Sequence, residues 1–352
     1  MAFEELLSSW DGEEVIVRYD GPTGSWMLIG VHSTVRGPAM GGTRLNAYAR
    51  PEEALDDVLR LSAAMTVKQA VADLPYGGGK AVVAVPEVPA RASDARRDLL
   101  LRYAELVDSL HGTYVTAADM NTGEADMDTI GERTSHVLGR SRDAGGSGDP
   151  GASTAVGVFH GIRASVAQAF GSDDLQGRSV LVQGLGSVGS RLAEHLHDAG
   201  AELLVADTDH DRVGSLVDRL GAKPVEADEV MGMPCDVFAP CATGGVLTGD
   251  TIPSLGCRVV AGAANNQLGA REDADRLRDA GILYAPDYVI NAGGVIHLAG
   301  FETLGWDEAR VSERLEGIGD TLREVFGGAE RDGISTAAAA DRLAAARISA
   351  VT

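Results

Sequence analysis

The sequence predicts an α/β protein of two domains: an N-terminal α/β domain and a Rossmann-like, doubly wound one, with a cleft between them. Three observations carry that expectation. From residue 179 onward, short apolar strands alternate with helical stretches, and such alternation builds a parallel sheet because each crossover needs a connecting element. Ala, Val, Leu and Gly dominate while aromatics make up only 5% of 352 residues, a composition that suits covered parallel strands better than a β-sandwich. Residues 143–152 (Asp-Ala-Gly-Gly-Ser-Gly-Asp-Pro-Gly-Ala) are turn chemistry throughout, which marks a boundary.

The elements follow in order. Residues 13–19 and 25–34 read as two strands joined by a turn at Asp20-Gly21-Pro22-Thr23-Gly24. Pro51-Glu52-Glu53 opens a helix that carries Leu55, Val58, Leu59 and Met65 towards Lys68, with proline in its first turn and acids near its N-terminus. A glycine cluster then leads into a strand at 81–85, stopped by Pro86. A helix at about 93–110 and a short strand at 114–117 deliver Ala118-Asp119-Met120-Asn121. Past the boundary come a helix at about 153–169 and strands at 179–183, 202–206, 237–239, 258–261 and 282–284, with helices between most of them. The expected domains are 1–148, rejoined by a C-terminal helix at about 330–352, and 149–329, because the chain ends in another apolar-periodic stretch at 334–348.

Composition narrows the function. A formal charge of −22 argues against DNA, RNA or anionic membranes as partners. The start lacks a signal-peptide h-region, and no apolar run approaches the roughly 18 residues that span a bilayer. The three cysteines, Cys235, Cys241 and Cys257, form no CxxC pair and sit in or beside apolar segments, so they read as buried free thiols of a reducing, cytoplasmic compartment. The histidines show no HxxxH or HExxH spacing, so no metal is expected.

A dinucleotide site is expected at Val180-Leu181-Val182-Gln183 followed by Gly184-Leu185-Gly186-Ser187-Val188-Gly189. The first glycine permits a tight turn, the second lets backbone approach a pyrophosphate, and the third lets helix and strand pack closely. Helix N–H groups then face the phosphates. Asp207 ends the next strand, 18 residues on, where an acid bonds the ribose 2′-hydroxyl and repels a 2′-phosphate, favouring NAD over NADP. The competing reading makes Asp207 a cap of the helix starting near Asp209. Arg212 follows closely, and an arginine here can favour NADP.

The reacting group is sought among lysines. Of 30 basic residues only Lys68, Lys80 and Lys223 are lysine, and lysine can act as a base where arginine cannot. Lys80 follows three glycines, which would let a ligand lie against the backbone. Burial and the nearby charge of Lys68 would lower its pKa. Lys68 could instead stay charged and hold a carboxylate, and Asp119, at a strand end, could exchange protons. The bland alternative is two surface lysines and a helix-capping aspartate.

These segments resemble a known family. Pro38-Ala39-Met40-Gly41-Gly42-Thr43-Arg44, Leu74-Pro75-Tyr76-Gly77-Gly78-Gly79-Lys80, Ala118–Thr122, Gly184–Gly189, Ala239-Pro240-Cys241-Ala242, Gly262-Ala263-Ala264-Asn265-Asn266 and Asn291-Ala292-Gly293-Gly294 are similar, in order, to the glutamate/leucine/phenylalanine/valine dehydrogenases. That resemblance implies NAD-dependent oxidative deamination of an L-amino acid to its 2-oxo acid and ammonia by an oligomer, with Lys80 as general base, Asp119 as acid/base and Lys68 on the substrate carboxylate. It implies Gly41 and Gly42 lining the carboxylate site and Asn265 (or Asn266) orienting the substrate or nicotinamide. Thr154, Ala242 and Asn291 join Gly184–Gly189 and Asp207 on the cofactor side, Thr154 against a plain helix-cap reading. The side-chain pocket falls to Met40, Met65, Ala117, Val295 and Leu298. Phenylalanine is favoured as substrate, leucine and valine are the alternatives, and a non-catalytic NAD or oxo-acid sensor is the alternative of another class. The family implies a homo-oligomer, to which an exposed strand near 13–19 would be suited.

Overall fold

The computed structural model describes residues 3–351 and divides the chain into two compact units. Residues 1, 2 and 352, which the expected bounds include, lie outside the described residues. The first unit comprises the chain through Asp149, Leu298–Gly305 and the chain from Ala344; the second comprises Pro150–His297 and Trp306–Leu343.

The first unit holds a five-stranded mixed sheet of β1 (Glu14–Asp20), β2 (Ser25–Ser33), β3 (Ala39–Ala47), β4 (Gly77–Val85) and β5 (Tyr114–Ala118), in the order β1-β2-β4-β3-β5. β1/β2 and β2/β4 pair antiparallel, whereas β3 runs parallel to both β4 and β5. Its helices are α1 (Phe3–Ser9), α2 (Pro51–Val71), α3 (Asp94–Asp108) and α4 (Glu124–Ile130). Side chains alternate along each strand. Leu28, Val82 and Ala84 therefore bury one face against Ala54, Leu55, Val58 and Leu59 of α2, while Met27, Ile29, Ala81 and Val83 bury the other against Leu99, Leu100, Tyr103 and Val107 of α3. Each such Leu or Val contributes roughly 1.5–3 kcal/mol.

Two features differ from the expected elements. β3 carries Met40-Gly41-Gly42-Thr43 and has no polar–apolar alternation to announce it. It lies between two parallel partners and is covered on both faces, so all its residues through Thr43 are buried. β4 begins at Gly77, so the glycine cluster is strand interior rather than a turn. A Cβ at Gly77 would lie 1.8 Å from the Ser33 carbonyl oxygen, one at Gly78 2.1 Å from the Thr66 nitrogen, and one at Gly79 2.8 Å from the Tyr114 ring. Protein fills the space expected for a ligand: these glycines let α2 and Tyr114 close directly onto the sheet.

The second unit holds a six-stranded parallel sheet of β6 (Ser179–Gln183), β7 (Glu202–Ala206), β8 (Lys223–Pro224), β9 (Val237–Pro240), β10 (Val259–Val260) and β11 (Leu283–Tyr284), in the order β11-β10-β9-β6-β7-β8. The order reverses at β6, which makes the carboxyl ends of β6 and β9 the switch point where doubly wound sheets bind ligands. Its helices are α5 (Gly151–Phe170), α6 (Ser187–Asp198), α7 (His210–Leu220), α8 (Asp273–Asp279), α9 (Asp287–Ile290), α10 (Gly293–Glu302), α11 (Glu308–Asp332) and α12 (Thr336–Ser349). α10 begins in this unit and ends in the first. Edge strand β8 was not expected, because an exposed Lys-Pro pair carries no apolar pattern.

The chain returns to the first unit twice, and the last return begins at Ala344 rather than near 330. The first half of α12 belongs to the second unit because Thr336 Oγ1 donates to the Tyr284 carbonyl, Tyr288 Oη donates to the Ala337 carbonyl, and Ala337 joins the core around Tyr284. Its end belongs to the first: Arg347 donates to the Val71 carbonyl at 2.7 Å and accepts, through its own carbonyl, from Arg36. No helix among the described residues is long and apolar enough to cross a membrane.

Candidate active site

Lys80 and Asp119 meet because of the strand order. Lys80 is on β4 and Asp119 follows β5, with β3 between them. The register Met40↔Gly78 and Thr43↔Ala81 sets Gly42 level with Lys80, and Gly42 pairs with Ala117. Alternation then puts Lys80, Gly42, Ala117 and Asp119 on the α2 face. Only a residue without a side chain lets the Ala118-Asp119 backbone close onto β3: a Cβ at Gly42 would lie 2.8 Å from Asp119 Cβ and 2.5 Å from the Ala118 oxygen. Lys80 is 5% exposed, and its Nζ donates to Asp119 Oδ2 at 2.5 Å.

The sequence reading set the charge of Lys68 against Lys80; the charge in direct contact with it is the Asp119 carboxylate. Burial alone would raise the Asp119 carboxyl. The Lys80 ammonium and its hydrogen bond, with help from the Met120 N–H and from Arg44, outweigh burial and hold it at about 2. Asp119 does not cap a helix: its own N–H donates to Thr122 Oγ1, which donates to the Thr43 carbonyl, so a threonine ties the loop back to β3.

Arg44 is a partner of Asp119 that the sequence alone does not announce. Its Nε donates to Asp119 Oδ1 at 3.1 Å and its Nη1 to Asp57 Oδ2 at 2.7 Å. Asp57, on α2, also accepts from Tyr48 Oη and from Arg60. The signal was present, since Arg44 stands two residues beyond Gly42 and so shares its face, but using it required knowing that 39–47 is a strand. On the opposite face, Thr43, Tyr103 and Thr116 share a buried hydroxyl cluster, and Tyr114 Oη donates to the Gly41 carbonyl at 2.5 Å. That network fixes the backbone of the Gly41-Gly42 pair.

The other expected substrate residues divide between the two units. Met40 and Ala117 are buried on the same strands, and Met65 Cγ stands 3.3 Å from where a Gly41 Cβ would sit. Lys68 lies three residues past Met65 on α2, hence on a neighbouring helix position, and is half-buried. Leu298 is buried, with its Cδ2 3.5 Å from a notional Cβ of Gly139, whose N–H is held by Glu302. Val295 and Asn265 belong to the second unit.

In the second unit the three glycines of the turn do three different things. Gly184 has φ +94, and a Cβ there would strike Ala242 at 2.7 Å. Gly189 packs against the Gly184 carbonyl, 1.9 Å from a notional Cβ. At Gly186 nothing comes nearer than Arg212 Nη1 at 3.9 Å, so the space beside the backbone is open. Gly186 is the N-cap of α6 and has no side chain with which to cap it, and a helix N-terminus favours an anion. A cavity of about 490 Å³ adjoins Leu185, Gly186 and Ser187. An uncapped helix start beside an open glycine fits a pyrophosphate.

Asp207 follows β7, its Oδ2 accepting the Leu185 N–H at 2.5 Å and its Oδ1 the Asp209 N–H at 2.8 Å. Burial would raise this carboxyl, but the two N–H groups and Arg212 lower it below its ordinary value. The helix cap is Asp209, not Asp207. Two carboxylate oxygens keep lone pairs for a ribose hydroxyl. Asn291 Nδ2 donates to Asn265 Oδ1 at 2.8 Å and to the Ala263 carbonyl at 3.1 Å. Asn266, at φ +53, donates its N–H to Asp287, while buried Gln267 spans the Gly262 and Ala264 carbonyls. Thr154 Oγ1 back-bonds to Pro150, and a Cβ on Gly294 would lie 3.1 Å from it. Among the described residues no cluster of three or more His, Cys, Asp or Glu could hold a metal. The three thiols are pushed up by burial, to about 12, 12 and 11 for Cys235, Cys241 and Cys257, which makes them inert.

Comparison with known proteins adds to this geometry. Residues 26–136 match the model of the Glu/Leu/Phe/Val dehydrogenase dimerisation domain, and residues 145–223 and 202–352 match that of the Glutamate/Leucine/Phenylalanine/Valine dehydrogenases. The chain is 43% identical to a leucine dehydrogenase of Geobacillus stearothermophilus, across 99% of this chain and 94% of that protein. It is 44% identical to a valine dehydrogenase of Streptomyces virginiae, across 96% and 94%. Its fold superposes on the crystal structure of L-tryptophan dehydrogenase from Nostoc punctiforme with a TM-score of 0.85 and 40% identity, covering 99% of each chain.

Proposed function

The chain belongs to the Glu/Leu/Phe/Val dehydrogenase family and is an NAD-dependent amino-acid dehydrogenase, and we propose that its substrate is an apolar, branched-chain L-amino acid, leucine or valine. Phenylalanine is the substrate favoured by the sequence resemblance, with leucine and valine as the alternatives. The leucine and valine dehydrogenases at 43% and 44% identity favour those alternatives. The expected pocket residues Met40, Met65, Ala117, Val295 and Leu298 include no charged side chain, so a glutamate side chain would find no counter-ion there.

The single observation that carries the catalytic reading is the Lys80–Asp119 contact. A buried amine held against a carboxylate is a proton-transfer pair. Gly184–Gly189, Asp207, Thr154, Ala242 and Asn291 would hold NAD, which would supply a hydride acceptor for the substrate Cα. Lys68 binds the substrate carboxylate beside the Gly41-Gly42 backbone. Lys80, as the free amine, takes a proton from water as that water adds to the iminium carbon. Asp119 relays to the substrate nitrogen the proton that Lys80 took from the water, and the hydroxyl proton of the carbinolamine returns to the Lys80 amine as ammonia leaves and the 2-oxo acid forms. Asn265, tied to Asn291, orients the substrate. We also propose a homo-oligomer: residues 26–136 match a dimerisation domain, and edge strand β1 leaves Val17 and Tyr19 41% and 55% exposed.

The test is NADH formation with leucine, valine, phenylalanine, tryptophan and glutamate. The expected order puts leucine or valine about tenfold or more above phenylalanine in kcat/KM, the worth of one or two methylenes in an apolar pocket. Phenylalanine or tryptophan as the best substrate would overturn the branched-chain assignment. NADH binding without turnover of any of them would favour a sensor.

A further inference from the structure

Four charged groups stand in line on the α2 face of the first unit: Lys80, Asp119, Arg44 and Asp57. Each touches the next, at 2.5, 3.1 and 2.7 Å. Three elements contribute to the far half, because Arg44 is on β3, Asp57 on α2 and Asp119 at the end of β5. The side chains of Arg44 and Asp57 are only 15% and 13% exposed. Asp57 carries its remaining load on Tyr48 and Arg60, so it is anchored independently of the site.

We propose that Arg44, braced by Asp57, is a positioning residue of the reacting site: it captures Oδ1 of Asp119 and so turns Oδ2 towards Lys80 and the substrate nitrogen. The proposal rests on the Lys80–Asp119 reading above. Its physical basis is the guanidinium fork. One planar group spans Asp119 with Nε and Asp57 with Nη1, which fixes the carboxylate in rotation as well as position. Lys80, a point donor on a flexible stem, and the single Met120 N–H would hold that carboxylate less firmly in rotation about Cβ–Cγ than the fork does. A proton donor or acceptor that swings loses the near-attack geometry. Arg44 also leaves Asp119 with a cationic partner in the steps where Lys80 is the free amine.

The experiment is a double-mutant cycle in the full chain. It measures kcat and KM for the best amino acid, NADH binding by fluorescence, and thermal unfolding, for Arg44→Gln, Asp119→Asn and the pair. Arg44→Gln should lower kcat roughly 10–100-fold, with KM and NADH affinity within about threefold. Added to Asp119→Asn, it should cost less than about twofold, because its route to the chemistry is already gone. Arg44→Lys should recover only part of the loss, having the charge without the fork. Asp57→Asn, which keeps the charge of Arg44 and removes its brace, should give a smaller loss that also vanishes in Asp119→Asn, and it serves if Arg44→Gln does not fold. Losses that multiply across the cycle, or an Arg44→Gln enzyme at the wild-type rate, would overturn the proposal while leaving the Lys80–Asp119 reading in place. Wild-type turnover by Asp119→Asn would sink both.

Discussion

The two glycine-rich segments of this chain look alike and work in opposite ways. At 77–79 the missing side chains are replaced by protein: Ser33, Thr66 and the Tyr114 ring occupy the places where Cβ atoms would go. At 184–189 the outer two glycines are filled by Ala242 and by the turn itself, but the middle one is open. The first segment uses glycine to bring a helix onto a strand, and thereby aims a lysine. The second uses it to keep atoms out of a ligand's way. Glycine content alone does not separate the two cases; what a Cβ would meet does.

Substitutions to alanine break the comparison most sharply. Gly78→Ala puts a methyl 2.1 Å from the backbone nitrogen of Thr66, which no side-chain motion relieves. It should cost about 3 kcal/mol of stability, the upper range of overpacking, read as a fall in the denaturation midpoint. Unchanged stability would mean that α2 does not rest on β4 there. Gly186→Ala should do the reverse. Its backbone, at φ −73 and ψ −161, suits any residue, so stability should stay within about 0.5 kcal/mol. NADH affinity should fall about tenfold or more, about 1.4 kcal/mol, as the methyl enters the pyrophosphate's approach. Wild-type NADH titrations from that variant would refute the cofactor assignment of the open glycine.

Acid sharpens the contrast between the carboxylates that serve the two sites. Asp119 is held at about 2, below an aspartate's ordinary 3.8. A depressed carboxyl stabilises the fold above its unfolded pKa and loses that contribution as pH falls through the folded one. The window is thus about pH 4 down to 2, and the contribution is about 2 kcal/mol. Wild type minus Asp119→Asn stability, measured across that range, should shrink with falling pH; a constant difference would contradict the ion pair. Asp207 is lowered too, chiefly against burial by backbone N–H groups. Asp207→Asn should therefore weaken NADH binding only several-fold, about 1 kcal/mol, and leave kcat unchanged. An unaltered NADH affinity would release Asp207 from the ribose.

The sequence was most legible where pattern and geometry coincide. β6 and β7 occupy 179–183 and 202–206, as their apolar runs bounded by polar turns require. Lys80 stood out because lysine is rare in this composition, and Asp119 and the glycine turn because each follows a short apolar strand. β3 was not, because a strand buried on both faces and interrupted by two glycines has neither alternation nor β-branched bulk. Missing β3 hid Arg44, whose place beside Asp119 depends on the β4-β3-β5 order, a long-range fact that no local window contains. The split of α12 was invisible for the same reason: its apolar-periodic, alanine-rich run does not say which unit it packs on, and the choice is made by Tyr284, Tyr288 and Arg36, far away in the chain.

Replacing Lys80 by arginine tests the central claim most directly. The substitution keeps a cation facing Asp119 but installs a group that does not surrender its proton at working pH. With folding and NADH binding verified, the account predicts turnover of the amino acid reduced about a thousandfold or more. An arginine enzyme running within a few-fold of wild type would show that no proton passes through residue 80.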